Sequence, residues 1–577
     1  MKNLDRNIQN NVNKWLQGQY DKETKATLQR LIDDNNIEEI TDAFYKNLDF
    51  GTGGLRGIMG VGSNRVNKYT IGAATQGLSN YLKKAFPGQK IKVAIAHDNR
   101  NNAEFFAQIT ADVFSANDIY VYFFDGLRPT PELSFAIRKL GCHSGVMLTA
   151  SHNPKEYSGY KAYWNYGGQV IPPHDKNIIL EVGKINDVTQ ISFNLKKENI
   201  EIIGKEIDKE FIKQVLSVCN KTKTINEHRD LKIVFSPIHG AGVVLIPQAL
   251  KELGFTNVNL VEEQCTTDGN FPTVVYPNPE EKEAMAMALG KAEQIDADLV
   301  MATDPDGDRV GIAVKNDANE FILLNGNQTG ALIFYYVIRQ WEQKGLLKGN
   351  EYIVKTIVTS YLIDRIAKAK GVKCYNVLTG FKYIGNLMTA LEGKSSFIAG
   401  AEESYGYLIG DHVRDKDAVV ACCIIAEMTA FFKSKNRTLY QTLKDIYAEH
   451  GFFKEELISI TKAGKKGAEE IAARMQSFRE NPPKNLGGHK VVRVKDYLAS
   501  KTVNLITGSE TTIDLPKSNV LQFITEEDFV ISARPSGTEP KIKFYISVNT
   551  DLPDLRDYSS KENELNQLII AIKDDLN

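Results

Sequence analysis

Apolar positions in the first fifty residues recur at near-helical spacing: Leu28, Ile32, Ile37, Ile40 and Phe44 fall on one face, with acidic and amide residues between them. That segment reads as helix and stops at Phe50-Gly-Thr-Gly-Gly-Leu-Arg-Gly57, which is too rich in glycine to continue it. A unit then recurs: a short apolar run, a polar or glycine turn, and an amphipathic helix. Residues 91–96 precede His97-Asp-Asn-Arg100 and a helix from Ala103. Residues 231–235 precede Ser236-Pro-Ile-His-Gly-Ala-Gly242 and a helix from Leu245. Residues 352–358 precede Thr359-Ser360 and a helix through Ile366. Strands alternating with helices imply layered α/β units with largely parallel pairing, here three related ones without a strict sequence repeat. Past residue 450 the runs shorten: 452–460, 503–505, 520–523 and 529–532 read as strands, 481–488 as a loop, and 561–576 as a closing helix. This is the pattern of a smaller α+β domain.

Length agrees with several domains, because 577 residues exceed what one core fills. The expected partition is 1–205, including the helical extension, then 206–320, 321–450 and 451–577. A net charge of −2 gives no bulk attraction to nucleic acid or anionic lipid, so phosphate binding has to be local. No run nears the about 18 apolar residues of a membrane span, and residues 1–21 lack a signal peptide's apolar core. Cys142, Cys219, Cys265, Cys374, Cys422 and Cys423 are scattered without a C-x-x-C pair, which suggests neither a disulfide framework nor zinc. The expectation is a reduced, cytoplasmic protein.

Four loops carry candidate chemistry. In Met147-Leu-Thr-Ala-Ser-His-Asn-Pro154, Ser151 follows an apolar strand, but a lone serine needs a base or prior charging to react. His152 is adjacent, and on an extended chain neighbours point apart, which disfavours a Ser–His hydrolase dyad. Asp304-Pro-Asp-Gly-Asp-Arg309 places three carboxylates on a tight loop between two apolar strands. Such crowding calls for a shared hard cation such as Mg2+. A calcium-hand loop is disfavoured, since Arg309 and Lys315 stand where it needs Gly and Glu and both flanks read as strands rather than helices. Gly400-Ala-Glu-Glu-Ser-Tyr-Gly406 offers carboxylates and a hydroxyl suited to sugar hydroxyls. Ala533-Arg-Pro-Ser-Gly-Thr-Glu-Pro-Lys541 has a guanidinium, hydroxyls and backbone donors, the inventory of a phosphate cradle, without the spacing of a Walker A loop. Taken alone, the Ser151 loop reads more readily as an ordinary turn, the Glu402 loop equally well as one, and the Arg534 loop less readily as one.

In this order the four loops resemble the α-D-phosphohexomutase superfamily of phosphoglucomutases and phosphomannomutases. Gly51-Thr-Gly-Gly-Leu-Arg56, Thr379-Gly-Phe-Lys382 and Asp415-Lys-Asp417 support the resemblance, which runs from about residue 51 to 545. It looks most similar to the branch that includes phosphopentomutases. The resemblance implies three related α/β/α domains and a C-terminal α+β phosphate-binding domain around a central cleft. Ser151 would carry a transferable phosphoryl group and join Asp304, Asp306 and Asp308 in binding Mg2+. Arg309 would lie near that phosphate, Lys161 would handle protons, and His152 would support or contact the phosphate. Glu402 and Ser404 would hold sugar hydroxyls, Arg56 and Lys382 would bind the substrate, and Arg534, Ser536, Gly537 and Thr538 would clamp the phosphate that is not transferred.

The implied reaction interconverts sugar 1- and 6-phosphates, glucose first, with a sugar bisphosphate such as glucose 1,6-bisphosphate as activator and intermediate. Phosphomannomutase and phosphopentomutase activities are the alternatives, a phosphatase or a sugar-phosphate sensor the distant ones. The implied partner is a small phosphosugar, not nucleic acid or membrane, bound by a monomer or small homo-oligomer. Ala401 and Ala418 stand where the family often has glycine.

Overall fold

The computed structural model describes residues 4–51, 53–220, 223–462, 464–536 and 541–576. The N-terminal segment is three helices rather than one: Arg6–Gln17, Lys22–Asp33 and Ile37–Phe44. Asp5, Asp21 and Asn36 cap them by accepting from the amides of Asn7, Thr24 and Glu39, and each cap restarts the chain in a new direction. Buried Arg65 ties the last helix to the body through Glu39 at 3.0 Å and Asp42 at 2.8 Å.

Three sheets follow. The first contains β1 (Gly54–Ile58), β2 (Lys92–His97), β3 (Tyr120–Phe124), β4 (Ser144–Leu148), β5 (Tyr157–Trp164) and β6 (Ile200–Ile203), in the order β1-β5-β4-β2-β3-β6. The second has β7 (Ile233–Ser236), β8 (Val258–Leu260), β9 (Leu299–Thr303), β10 (Val310–Lys315) and β11 (Phe321–Leu324), ordered β11-β10-β9-β7-β8. The third has β12 (Glu351–Thr356), β13 (Lys373–Val377), β14 (Ser396–Glu402) and β15 (Gly406–Ile409), ordered β13-β12-β14-β15.

One four-strand pattern underlies all three sheets: β3-β2-β4-β5, β8-β7-β9-β10 and β13-β12-β14-β15. In each, the first three strands are parallel and the last is antiparallel. The repeat lies in topology, not in residue identity. Strands such as Leu-Val-Met-Ala-Thr of β9 are buried throughout, as a sheet covered on both faces requires. Helix Ala418–Lys433, buried almost all round, packs against helix Gly242–Leu253 of the second domain.

The β4–β5, β9–β10 and β14–β15 connections therefore occupy equivalent places, beyond the carboxyl end of a parallel strand, where α/β sheets bind ligands. They are the Ser151 loop, the triple-aspartate loop and the Glu402 loop.

The C-terminal domain is an antiparallel sheet of Phe452–Thr461, Lys541–Thr550, Val530–Pro535, Leu521–Thr525, His489–Asp496, Lys501–Asn504 and Glu510–Thr512, in that spatial order. Helices Gly464–Glu480 and Tyr558–Leu576 pack against it. The stretch 481–488, expected as a loop, contains the short strand Asn485–Leu486 paired with His489 and Lys490. Among the described residues no helix is long and apolar enough to cross a membrane.

Candidate active site

The three equivalent loops each turn through a left-handed residue: Ser151 (φ 53°), Gly307 (φ 61°) and Tyr405 (φ 64°). A Cβ at Gly307 would come 2.8 Å from that of Pro129, so the middle loop needs glycine for space as well as for its angle. At Ser151 the left-handed turn overturns the expectation that its side chain points away from that of His152. The backbone is not extended, and Oγ lies 3.3 Å from His152 Nδ1. Enclosure away from water, with Arg309 and Arg56 nearby, holds this imidazole well below its usual value, so it is neutral.

Ser151 Oγ donates to Asp304 Oδ2 at 3.0 Å, joining the first and second domains. Asp304 Oδ1 accepts the amides of Asp308 and Arg309, both at 3.1 Å, which shapes the acidic loop around its own first carboxylate. Asp306 Oδ2 accepts from Thr130 Oγ1 at 2.8 Å and from Lys161 Nζ at 2.6 Å. Asp308 pairs with Lys161 at 3.4 Å and with Lys416 at 3.2 Å. Loops two and three are stitched by a bridge between Arg309 and Gly406 and by the Val310 amide donating to Tyr405 O at 3.1 Å.

Asp304, Asp306 and Asp308 are buried, and each offers a carboxylate oxygen within 4.8 Å of the others. Burial, with Asp306 and Asp308 adjacent, pushes the Asp304 carboxyl well above its usual range. Oδ1 of Asp306 and Oδ1 of Asp308 are buried and accept no hydrogen bond among the described residues; Arg309 Nε approaches the latter at 3.7 Å. Oxygen-only donors, crowded and partly unsatisfied, fit a hard divalent cation.

A cleft of about 1240 Å³ opens in front of these loops. Its walls include Arg56, Ser151, His152, Lys161, Asp308, Arg309, Glu402, Ser404 and, from the C-terminal domain, Arg534. Arg56 donates to Asn153 Oδ1 at 2.9 Å. Glu402 is anchored by the Gly380 amide at 3.0 Å. Lys382 is half-buried and is not part of the lining, although its neighbours Gly380 and Phe381 are. Ser536 closes its hairpin by donating its amide to Lys541 O at 2.7 Å, while Gly537 and Thr538 lie outside the described residues.

Models for the three α/β/α domains I, II and III of phosphoglucomutase/phosphomannomutase match residues 47–188, 209–317 and 325–450. The chain belongs to the phosphoglucomutase/phosphomannomutase family. It is 38% identical to a phosphoglucomutase of Staphylococcus aureus strain MRSA252 over 92% of this chain and 94% of that one. To the phosphoglucomutase of Staphylococcus haemolyticus it is 36% identical, over 88% and 91%. Two solved structures share the fold. Parafusin, a phosphoglucomutase from Paramecium, gives a TM-score of 0.66 at 19% identity, covering 91% of this chain and 96% of its own. A phosphoglucomutase/phosphomannomutase family protein from Burkholderia thailandensis gives 0.64 at 16%, covering 91% and 97%.

Against this family background the structure brings in residues that sequence reasoning left without a role. Lys416, inside the quoted Asp415-Lys-Asp417, reaches the acidic loop because Asp415 is held by Tyr163 OH at 2.8 Å and Gln169 Nε2 at 3.1 Å. Glu280 holds Arg309 at 3.2 Å. Lys543 lines the cleft near Arg534; burial, with Lys541 and Arg534 alongside, lowers its pKa. A cation every second position on a strand (Lys541, Lys543) beside the Arg534 loop was the available signal.

Proposed function

We propose that the chain is a phosphosugar mutase that interconverts glucose 1-phosphate and glucose 6-phosphate through phosphorylated Ser151. The observation that carries this reading is the 3.0 Å bond from Ser151 Oγ to the buried three-acid cluster, in a cleft whose other wall bears Arg534. The names of the Staphylococcus relatives support glucose as the sugar.

In the proposed cycle a sugar hydroxyl oxygen attacks the phosphorus of phosphorylated Ser151. The new O–P bond forms as the P–Oγ bond breaks, and the hydroxyl proton is passed on to free Oγ. The product is a sugar bisphosphate and unmodified Ser151; after the intermediate turns over, its other phosphate returns to Oγ by the reverse step. His152, beside Oγ, and Lys161, paired with Asp306 and Asp308, are placed to move that proton. Asp304, Asp306 and Asp308 would hold Mg2+, which when bound offsets charge on the phosphoryl oxygens. Glu402 and Ser404 would accept and donate to sugar hydroxyls, while Arg534 and Lys543 would hold the phosphate not being transferred.

Ser151→Ala is expected to abolish interconversion in an assay coupled to glucose 6-phosphate oxidation, with the melting temperature retained. Activity near that of the unmodified chain would reject the assignment. Glucose, mannose and ribose 1-phosphates compared side by side test the sugar, and release of inorganic phosphate without isomer would replace the mutase by a phosphatase.

A further inference from the structure

The turn His97-Asp-Asn-Arg100 follows β2, the strand beside β4, and its charged residues are turned inward. Arg100 is 3% exposed and Asp98 1%. The Arg100 guanidinium does not reach the cleft. It grips the backbone behind Ser151 instead: Nη2 donates to Ser151 O and, at 2.5 Å, to Asn153 O. Nη1 donates to Pro154 O at 2.8 Å and to Tyr157 O at 3.1 Å. One rigid planar fork thus holds three carbonyls of the loop and that of Tyr157 where β5 begins, a task that five fixed N–H donors suit and a lysine does not.

Asp98 completes the device. Its Oδ2 lies 3.3 Å from Arg100 Nε and accepts from Thr149 Oγ1 at 2.6 Å, and Thr149 Oγ1 in turn accepts the Ser151 amide at 2.8 Å. Both backbone polar groups of Ser151 are therefore held, in a residue whose left-handed angle is costly for serine. The second domain covers the guanidinium: its carbon lies 5.3 Å from the ring centroid of buried Phe271. Asn99 and Asn101 bond to Asp268 O and Asn270 Oδ1 at 3.1 and 3.0 Å.

We propose that Asp98 and Arg100 are positioning residues that hold the phosphoryl-carrying Ser151 in its left-handed turn, aimed at the acidic loop across the domain interface. The inference rests on the mutase reading. A relaxed turn would displace Oγ from the line of transfer while leaving Glu402, Ser404, Arg534 and Lys543, on other loops, in place to bind the sugar and its other phosphate, so the loss belongs chiefly in kcat rather than KM.

The test mixes the wild type and the Arg100→Met, Arg100→Lys and Asp98→Asn variants, each with Mg2+, with glucose 1,6-bisphosphate. The rate of Ser151 phosphorylation is read by quenched mass spectrometry, with kcat and KM for glucose 1-phosphate measured alongside. For Arg100→Met, phosphorylation rate and kcat should fall together by about 100-fold, with KM within about threefold. Arg100→Lys should recover only part, about tenfold, because it keeps the charge and loses the fork.

A folded Arg100→Met enzyme with kcat within about threefold of wild type, or one whose loss lies in KM, overturns the proposal. If Arg100→Met does not fold, Asp98→Asn, which preserves volume, is judged by the same two criteria. Wild-type enzyme that never acquires phosphate on Ser151 sinks the mutase reading itself. Normal phosphorylation in both wild type and variants sinks the positioning role alone.

Discussion

The two walls of the cleft are built to different standards. Around Ser151 the charged groups are buried and cross-linked: Asp306 is held by Thr130 and Lys161 of the first domain, and Asp308 by Lys161 and by Lys416 of the third. On the C-terminal wall Arg534 is only half-buried, on one hairpin of one domain. Phosphoryl transfer gains from dipoles and charges already in place, whereas the group being carried has to enter, turn and leave. The cleft, at about 1240 Å³, exceeds the roughly 300–1,000 Å³ of ordinary ligand pockets, the room that the proposed cycle requires for its bisphosphate to reorient. Rigidity belongs where bonds change and freedom where the substrate moves.

If that contrast is right, damage to the buried wall should far exceed damage to the open one. The largest effect is expected from removing the cation. Excess chelator should eliminate turnover, and added Mg2+ should restore it; full activity in chelator would mean that the acidic cluster works through lysines alone. Next comes Asp306→Asn, which keeps the shape but takes a charge from Lys161. It should lower kcat by about 1000-fold with KM little changed. A loss confined to KM would place Asp306 in binding rather than chemistry.

On the open wall, Arg534→Ala should chiefly raise KM. Removing one charged hydrogen-bond partner costs about 1.5–3 kcal/mol, or about 10- to 150-fold. Steady-state kinetics with glucose 1-phosphate decide it: an unchanged KM with a collapsed kcat would erase the distinction between the walls.

How much of this could be read from the chain alone follows the same division. The acidic loop and the Ser151 loop were legible because their chemistry is contiguous and follows apolar runs, 145–148 and 297–302, that do end in strands. Arg100 and Thr130 were not, because their partners lie up to 176 positions away in sequence. The Ser151–His152 contact was misjudged because it depends on one backbone angle that tertiary bonding enforces, whereas spacing only counts residues. The three-domain likeness was visible as a rhythm. That its functional loops fall on one equivalent connection emerged only from strand order, since β14 carries no sequence signature shared with β4 or β9.

The smallest expected effect probes the residue that stands between the two walls. Burial pushes the Glu402 carboxyl up to about 7, against Lys416 and Arg309 and with a push from Glu403. Below that pH it binds a proton, and a neutral acid is a weaker acceptor of sugar hydroxyls than a carboxylate. KM for glucose 1-phosphate should therefore rise as pH falls from 8 to 6, by no more than about tenfold for one hydrogen bond to a charged group. Glu402→Gln keeps an acceptor for the Gly380 amide but cannot titrate, so its KM should lack this component. The substrate phosphate also ionises in this range; because it is common to both enzymes, it cancels in the ratio of their KM values. That ratio should change with a midpoint near 7. A ratio constant between pH 6 and 8 would show that Glu402 does not meet the sugar as a carboxylate, and the middle of the cleft would then belong with the fixed wall.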